Sequence, residues 1–297
     1  MKITYDIQEL IPYINWPYFF FAWQVKEEAE KDRLKQEANT LLQQLEGKYH
    51  AYGLFELYEA YGDGEDIVVV SSGKWKEESG KSARPLVACY RRDARIPQIQ
   101  KIPCLRQQQG NPPYLCLSDF ITPHNISLTS HLSPLTSKIG VFATSVDIGL
   151  ETDFDADPYK KMMAQLLADR LAEAAAERMH EEVRKKYWGY AKDEQLSIPE
   201  MLVEKFQGIR PAVGYPSLPD TSLNFVLDDL LDMKQIGIRL TESGAMKPHA
   251  SVSGLMMAHP EARYFSIGKI GEDQLRDYAH RRGLPLELCR RFLAANL

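Results

Sequence analysis

One stretch, Asp157 to Gly189, constrains this chain more than any other. Met163, Leu166, Leu167, Leu171, Ala174, Ala175, Met179 and Val183 recur at three- and four-residue steps, the spacing of one helix face. Asp157 suits the N-cap, Pro158 the first turn and Gly189 the end. About 31 residues at roughly 1.5 Å each make a rod of about 46 Å. Such a rod needs a broad apolar surface to cover its stripe. Helix packing accounts for most of that stripe, and the small residues Ala172 and Ala174 to Ala176 let another backbone or a ligand come close.

The rest of the chain reads as a mixture of strands and helices. Asp6 to Ile14 predicts a short helix before the aromatic run Trp16 to Trp23. Asp32 to Leu45 predicts a helix with Leu34, Ala38, Leu41, Leu42 and Leu45 on one side. Ala51 to Ala60 and Asp66 to Ser71 are strand candidates around the turn residues Gly62-Asp63-Gly64. Further strands are expected at Leu86 to Tyr90, Tyr114 to Ile121 and Ile139 to Asp147, and a polar loop at Lys74 to Arg84. After the rod come helices at Ile198 to Phe206 and Leu223 to Met233, separated by a Pro/Gly-rich loop from Gly208 to Pro219. Ala250 to Met256 and Arg263 to Ile270 are expected as a hairpin, with helices Gly271 to Arg282 and Pro285 to Ala294 closing the chain. The order suggests an α+β fold, an antiparallel sheet with long helices against it. No repeat, low-complexity tract or long linker divides the 297 residues, so a single domain is expected.

Composition excludes several classes of partner. A net charge of −5 argues against a broad phosphate-binding surface, so no nucleic acid is expected. The clusters Arg184-Lys185-Lys186 and Arg290-Arg291 read as solvated helix faces. Met1 to Leu10 is polar and mixed in charge, unlike a signal peptide, and Trp16 to Trp23 is too short to span a bilayer. Cys89, Cys104, Cys116 and Cys289 are widely spaced without a CxxC pair, which fits a reducing cytoplasm and no metal site.

Catalytic motifs fail one after another. Gly80-Lys81-Ser82 ends like a phosphate loop, but Trp75 stands where its first glycine belongs. His180-Glu181 opens a zincin-like pattern, and Arg184 occupies the second histidine position. Gly62-Asp63-Gly64 lacks a third glycine and lies between strands rather than before a helix. No Gly-x-Ser-x-Gly elbow is present. The residues thus describe a binding protein with a polar pocket and no self-contained catalytic site.

The segment Gln207-Gly208-Ile209-Arg210-Pro211-Ala212-Val213-Gly214-Tyr215-Pro216 is the richest in binding chemistry. Two prolines and the glycines fix an irregular path that can turn backbone groups toward a ligand. Arg210 offers a planar fork for a carboxylate, and Tyr215 a ring and a hydroxyl. Taken alone, the loop reads more readily as a structural connection with Arg210 in a salt bridge.

Several blocks, in one order and spacing, decide between these. Leu167 to Ala174, His180-Glu181, Val183 to Lys185, Tyr187 to Ala191, Gln207 to Tyr215, Leu240 to Ser243, Ala250 to Gly254 and Asp277 to Ala279 resemble the activation domain of cobalamin-dependent methionine synthase. The match is strong over residues 157–297. It is weaker over 1–150, through Trp16 to Trp23, Leu105 to Gln108, Tyr114 to Phe120 and Ile139 to Glu151.

The resemblance implies a C-shaped unit on a twisted antiparallel sheet, with S-adenosylmethionine in a shallow groove. It implies that Arg210 holds the ligand carboxylate and that backbone groups of Ala212, Val213 and Gly214 meet the adenine beside Tyr215. It places Tyr264 with Phe265 against the ligand, and Glu173 and Glu204 near its sulfonium and amino end. The family's aspartate before the first tryptophan, a partner for the ligand's amino group, is Asn15 here. The implied function is reductive remethylation of cob(II)alamin, with a flavodoxin-like protein supplying the electron. The chain has no Asp-x-His-x-x-Gly segment of the kind that supplies a histidine to cobalamin. The cobalamin is therefore expected on a partner, with this chain acting in trans; the alternative is that this chain is a piece of a longer protein. Two other functions fit the same residues: a regulatory or scaffold protein that binds S-adenosylmethionine, and a reactivator of a different corrinoid methyltransferase.

Overall fold

The computed structural model describes residues 1–71, 98–123 and 133–297. Its strands, in chain order, are β1 (Lys2–Tyr5), β2 (Ala51–Asp63), β3 (Asp66–Ser71), β4 (Gln98–Pro103), β5 (Lys138–Val146), β6 (Arg239–Leu240), β7 (Met246–Lys247) and β8 (Ser251–Met256). The main sheet is antiparallel throughout, in the order β4-β3-β2-β5-β8, while β6 and β7 form a small ribbon. β2 is long enough to serve two neighbours on one side. Its first residues pair with β1, Tyr5 opposite Ala51, and its last with β3, Asp63 opposite Asp66.

The helices are α1 (Ile7–Leu10), α2 (Trp16–Ala22), α3 (Glu28–Leu45), α4 (Ser133–Thr136), α5 (Gly149–Thr152), α6 (Pro158–Glu182), α7 (Ile198–Leu202), α8 (Leu223–Leu231), α9 (Glu272–Arg282) and α10 (Leu286–Phe292). α6 is the expected rod. The Asp157 carboxylate caps it by accepting the N–H groups of Tyr159 and Lys160. A π-helical turn, Val183–Tyr187, prolongs it. Gly189, at φ +73°, then lets the chain turn away.

Period-two alternation along β5 divides the core between the two faces of the sheet. Phe142 and Val146 pack with Phe55, Met256, α3 and the alanines of α6 on one face. Ile139, Val141 and Ala143 pack with Ile67, Leu255 and α8 on the other. The alanine patch sits against the sheet, where the Thr144 hydroxyl donates to the Ala172 carbonyl at 2.9 Å. A third cluster, with Tyr278 and Leu275 at its centre, holds α9 and α10 together. Among the described residues no helix is long and apolar enough to cross a membrane, and no group of side chains is arranged to hold a metal ion.

Several expectations need correction. Tyr114 to Ile121 is no strand: Leu117–Phe120 is a 3-10 turn. Asp119 closes it by accepting the Cys116 N–H at 2.8 Å while Arg106 grips the same carboxylate with both terminal nitrogens. Arg263 to Ile270 does not return as a hairpin partner of β8, because residues 209–213 already occupy that side. The turn residue Asp63 belongs to β2, and the helix expected from Ile198 to Phe206 ends at Leu202. Arg184 is not solvated. It is 0% exposed, bonded to Glu194 at 2.7–3.2 Å and seated 4.2 Å over the Phe206 ring. The loop at Lys74 to Arg84 and the strand at Leu86 to Tyr90 lie outside the described residues.

Candidate functional site

The Pro/Gly-rich loop is bound to the sheet rather than draped over it. Ile209 and Met257 exchange backbone hydrogen bonds at 3.0 and 2.9 Å, the Leu255 N–H reaches the Pro211 carbonyl at 3.0 Å, and the Val213 N–H reaches Ser253 at 2.9 Å. Pro211 is tolerated because only its carbonyl is asked to pair. Gly254 makes this approach possible. A Cβ there would stand 2.2 Å from the Pro211 oxygen and 2.8 Å from the Ala212 Cα. Beyond the ladder, Gly214 turns the chain at φ +88° and its N–H donates to Leu218 at 2.8 Å.

Arg210 projects from this ladder onto α6. Its Nη1 donates to the Ala176 carbonyl at 3.0 Å and its Nη2 to Glu177 Oε1 at 2.7 Å. The guanidinium also lies 5.9 Å from the centre of the Phe142 ring, and the residue is 9% exposed. Burial, the largest single influence, lowers its pKa, but Glu177, Tyr264 and Glu173 together hold it above the ordinary arginine value. The Arg210 N–H donates to the Tyr264 hydroxyl at 2.9 Å. Burial, opposed by Arg210, pushes that phenol up to about 12.

Carboxylates lie around the Arg210 guanidinium. Glu173, one helical turn before Glu177, accepts the Tyr215 hydroxyl at 2.6 Å. Burial, then the Glu173 charge, raise the Tyr215 pKa above its usual value. Glu204 lies just past α7 with φ +61°, a left-handed conformation that side chains seldom adopt. Burial and the Glu177 charge push its carboxyl above the ordinary range, with Arg210 pulling the other way. An arginine amid three glutamates suits a ligand that carries one carboxylate and more than one positive centre.

The structure therefore brings together Arg210, Ala212, Val213, Gly214, Tyr215, Tyr264, Glu173 and Glu204. Phe265 follows Tyr264 but turns toward the core, with its ring 6.4 Å from that of Phe120. Asn15 stands immediately before α2, which packs on α6; no hydrogen bond among the described residues ties its side chain to the loop. A cleft of about 350 Å³ opens beside Gly214, Tyr215 and Pro216 and is bounded opposite by Ser266, Lys269 and Phe292. The sequence reading missed Glu177. The available signal was its i,i+4 relation to Glu173, which puts both carboxylates on one face of α6.

The family model described as the activation domain of vitamin B12 dependent methionine synthase matches residues 6–283. A crystal structure described as the MetH reactivation domain bound to AdoHcy is 36% identical in sequence and superposes with a TM-score of 0.83. That comparison covers 100% of this chain and 90% of the other.

Proposed function

This chain belongs to the family of vitamin B12-dependent methionine synthase activation domains, and from that premise we propose that it binds S-adenosylmethionine to support cobalamin reactivation. The proposed reaction converts cob(II)alamin, one electron and S-adenosylmethionine into methylcobalamin and S-adenosylhomocysteine. The cobalamin is carried by a partner that docks over the groove, and a flavodoxin-like protein donates the electron. We read the whole chain as one such domain, working in the cytoplasm.

The observation that supports this reading is the guanidinium of Arg210 among Glu173, Glu177 and Glu204. S-adenosylmethionine offers one carboxylate, one ammonium and one sulfonium, the charges such a set would sort. Arg210 takes the carboxylate, Glu173 and Glu204 face the cationic end, and the backbone of Ala212 to Gly214 meets the adenine beside Tyr215. Tyr264 fixes the loop through the Arg210 N–H. The groups hold and orient the ligand; none has to move a proton. Correct placement of reacting groups can by itself account for a large rate effect.

The test is reconstitution. The chain is mixed with cob(II)alamin-loaded methionine synthase lacking its own activation domain, a reductant and methyl-labelled S-adenosylmethionine. Label in methylcobalamin that depends on this chain supports the reading, and label at the same rate without it sinks the reading.

A further inference from the structure

We propose that Glu177 is a positioning residue for the ligand carboxylate, an inference that rests on the reading that Arg210 binds that carboxylate. Three glutamates lie within electrostatic reach of the guanidinium, yet only Glu177 bonds it directly, at 2.7 Å. The other contact is the carbonyl of the preceding residue, Ala176, at 3.0 Å. Two adjacent residues of one rigid helix therefore grip one terminal nitrogen each. A guanidinium has five N–H groups. Two are used on α6, so three, the Nε–H among them, remain to meet a second carboxylate in the side-by-side geometry that arginine favours.

The grip matters because an arginine side chain has many rotamers and this one has rival anions nearby. Without an acceptor at 177, only the Ala176 carbonyl still holds the fork, which can then turn away from the ligand carboxylate. Phe142 below and the Tyr264 hydroxyl on the backbone N–H fix where the side chain starts, not which way its fork faces. Glu177 also neutralises part of the Arg210 charge, which by itself weakens attraction for a carboxylate. Orientation and charge thus act in opposite directions, and the experiment has to separate them.

Glu177→Gln and Glu177→Met do so. Both remove the same charge and have similar length, but only glutamine keeps an oxygen to accept from Nη2. The affinity gap between them reports orientation alone. Calorimetry with S-adenosylmethionine should show the methionine variant about tenfold weaker than the glutamine variant, or about 1.4 kcal/mol. With decarboxylated S-adenosylmethionine, which has no carboxylate to orient, the two variants should bind alike. Equal affinities for S-adenosylmethionine would overturn the proposal, and so would an equally large gap with the decarboxylated ligand. Circular dichroism checks that each variant is folded, and Glu177→Ala replaces the methionine variant if that one is not. The underlying reading is judged separately. If Arg210→Ala leaves S-adenosylmethionine binding intact, the carboxylate assignment fails, whereas a loss there with no gap at 177 removes Glu177 alone.

Discussion

Tyr264 accepts the backbone N–H of Arg210 at 2.9 Å, so the residue that projects onto α6 is pinned at its own main chain by a segment 54 positions later. This support, with the ladder on β8, makes the point from which the side chain starts toward α6 a property of the whole fold. It also means that Arg210 can be tested as a binding group without dissolving the loop that carries it.

Arg210→Ala should lower affinity for S-adenosylmethionine by roughly 2–5 kcal/mol, the usual cost of stranding one partner of a partly dehydrated charge pair. That is about 30-fold to several thousand-fold. Arg210→Lys should recover only part, since an ammonium cannot make the two-pronged contact. Arg210→Ala should melt earlier than wild type, because Glu177 loses its partner, yet both variants should remain folded. Titration calorimetry beside a thermal melt decides it. Normal binding by folded Arg210→Ala would remove the assignment.

Gly254→Ala should disturb the loop directly. Its Cβ would meet the Pro211 oxygen at 2.2 Å, a backbone atom that cannot swing aside as a side chain could. Overpacking of this kind costs about 1–3 kcal/mol, and the affinity for S-adenosylmethionine should fall with the stability. A variant that binds and melts like wild type would show that the loop reaches the ligand without the ladder.

Asn15→Asp should tighten S-adenosylmethionine binding by placing an anion where the family resemblance implies a partner for the ligand's amino group. Calorimetry on the two proteins is sufficient. An unchanged or weaker affinity would mean that another carboxylate already supplies the charge.

Binding should also weaken in acid. The Glu204 carboxyl is held above its ordinary 4.5, so it gains a proton sooner than a free glutamate as pH falls. The cationic ligand favours the ionised form, hence affinity is full above the shifted pKa and declines as pH drops through it. Glu204→Gln should bind more weakly at neutral pH and lose this dependence. A Glu204→Gln protein that binds S-adenosylmethionine like wild type at neutral pH would exclude Glu204 from the site.

His180 gives a stability counterpart. It is fully buried, and burial first, then Arg184 and Arg210, hold its pKa well below 6.5. The unfolded chain binds a proton there before the folded chain does, so the stability that His180 supports is complete above pH 6.5 and is lost as pH falls below it. The slope is about 1.4 kcal/mol per pH unit. Urea midpoints at neutral and mildly acid pH should show it in wild type and show it reduced in His180→Met.

Much of this was legible in the residues, and the exceptions have physical causes. The α6 rod could be read because its cap, first-turn proline and apolar period all agree within one segment. Arg210 stood out because its loop is chemically unusual. Its partner did not, since Glu177 is separated from it by 33 positions and is one of several glutamates on the same helix. The false hairpin after β8 arose because alternation marks a segment fit to pair, not which neighbour reaches it first. Arg184 looked like a surface cation for a similar reason: its neutralising carboxylate, Glu194, comes only after the chain has turned at Gly189.

The ladder between residues 209–213 and β8 has a second consequence. β8 ends the main sheet, and without those residues its outward N–H and C=O groups from Ser253 to Met257 would be open to strands of other molecules. The segment read as cradling the ligand is also the cover that keeps the sheet from growing. A mutation that peels it away therefore exposes an adhesive edge at the same moment that it damages the groove. The first symptom of such a mutation should be self-association, seen in light scattering before any titration is attempted.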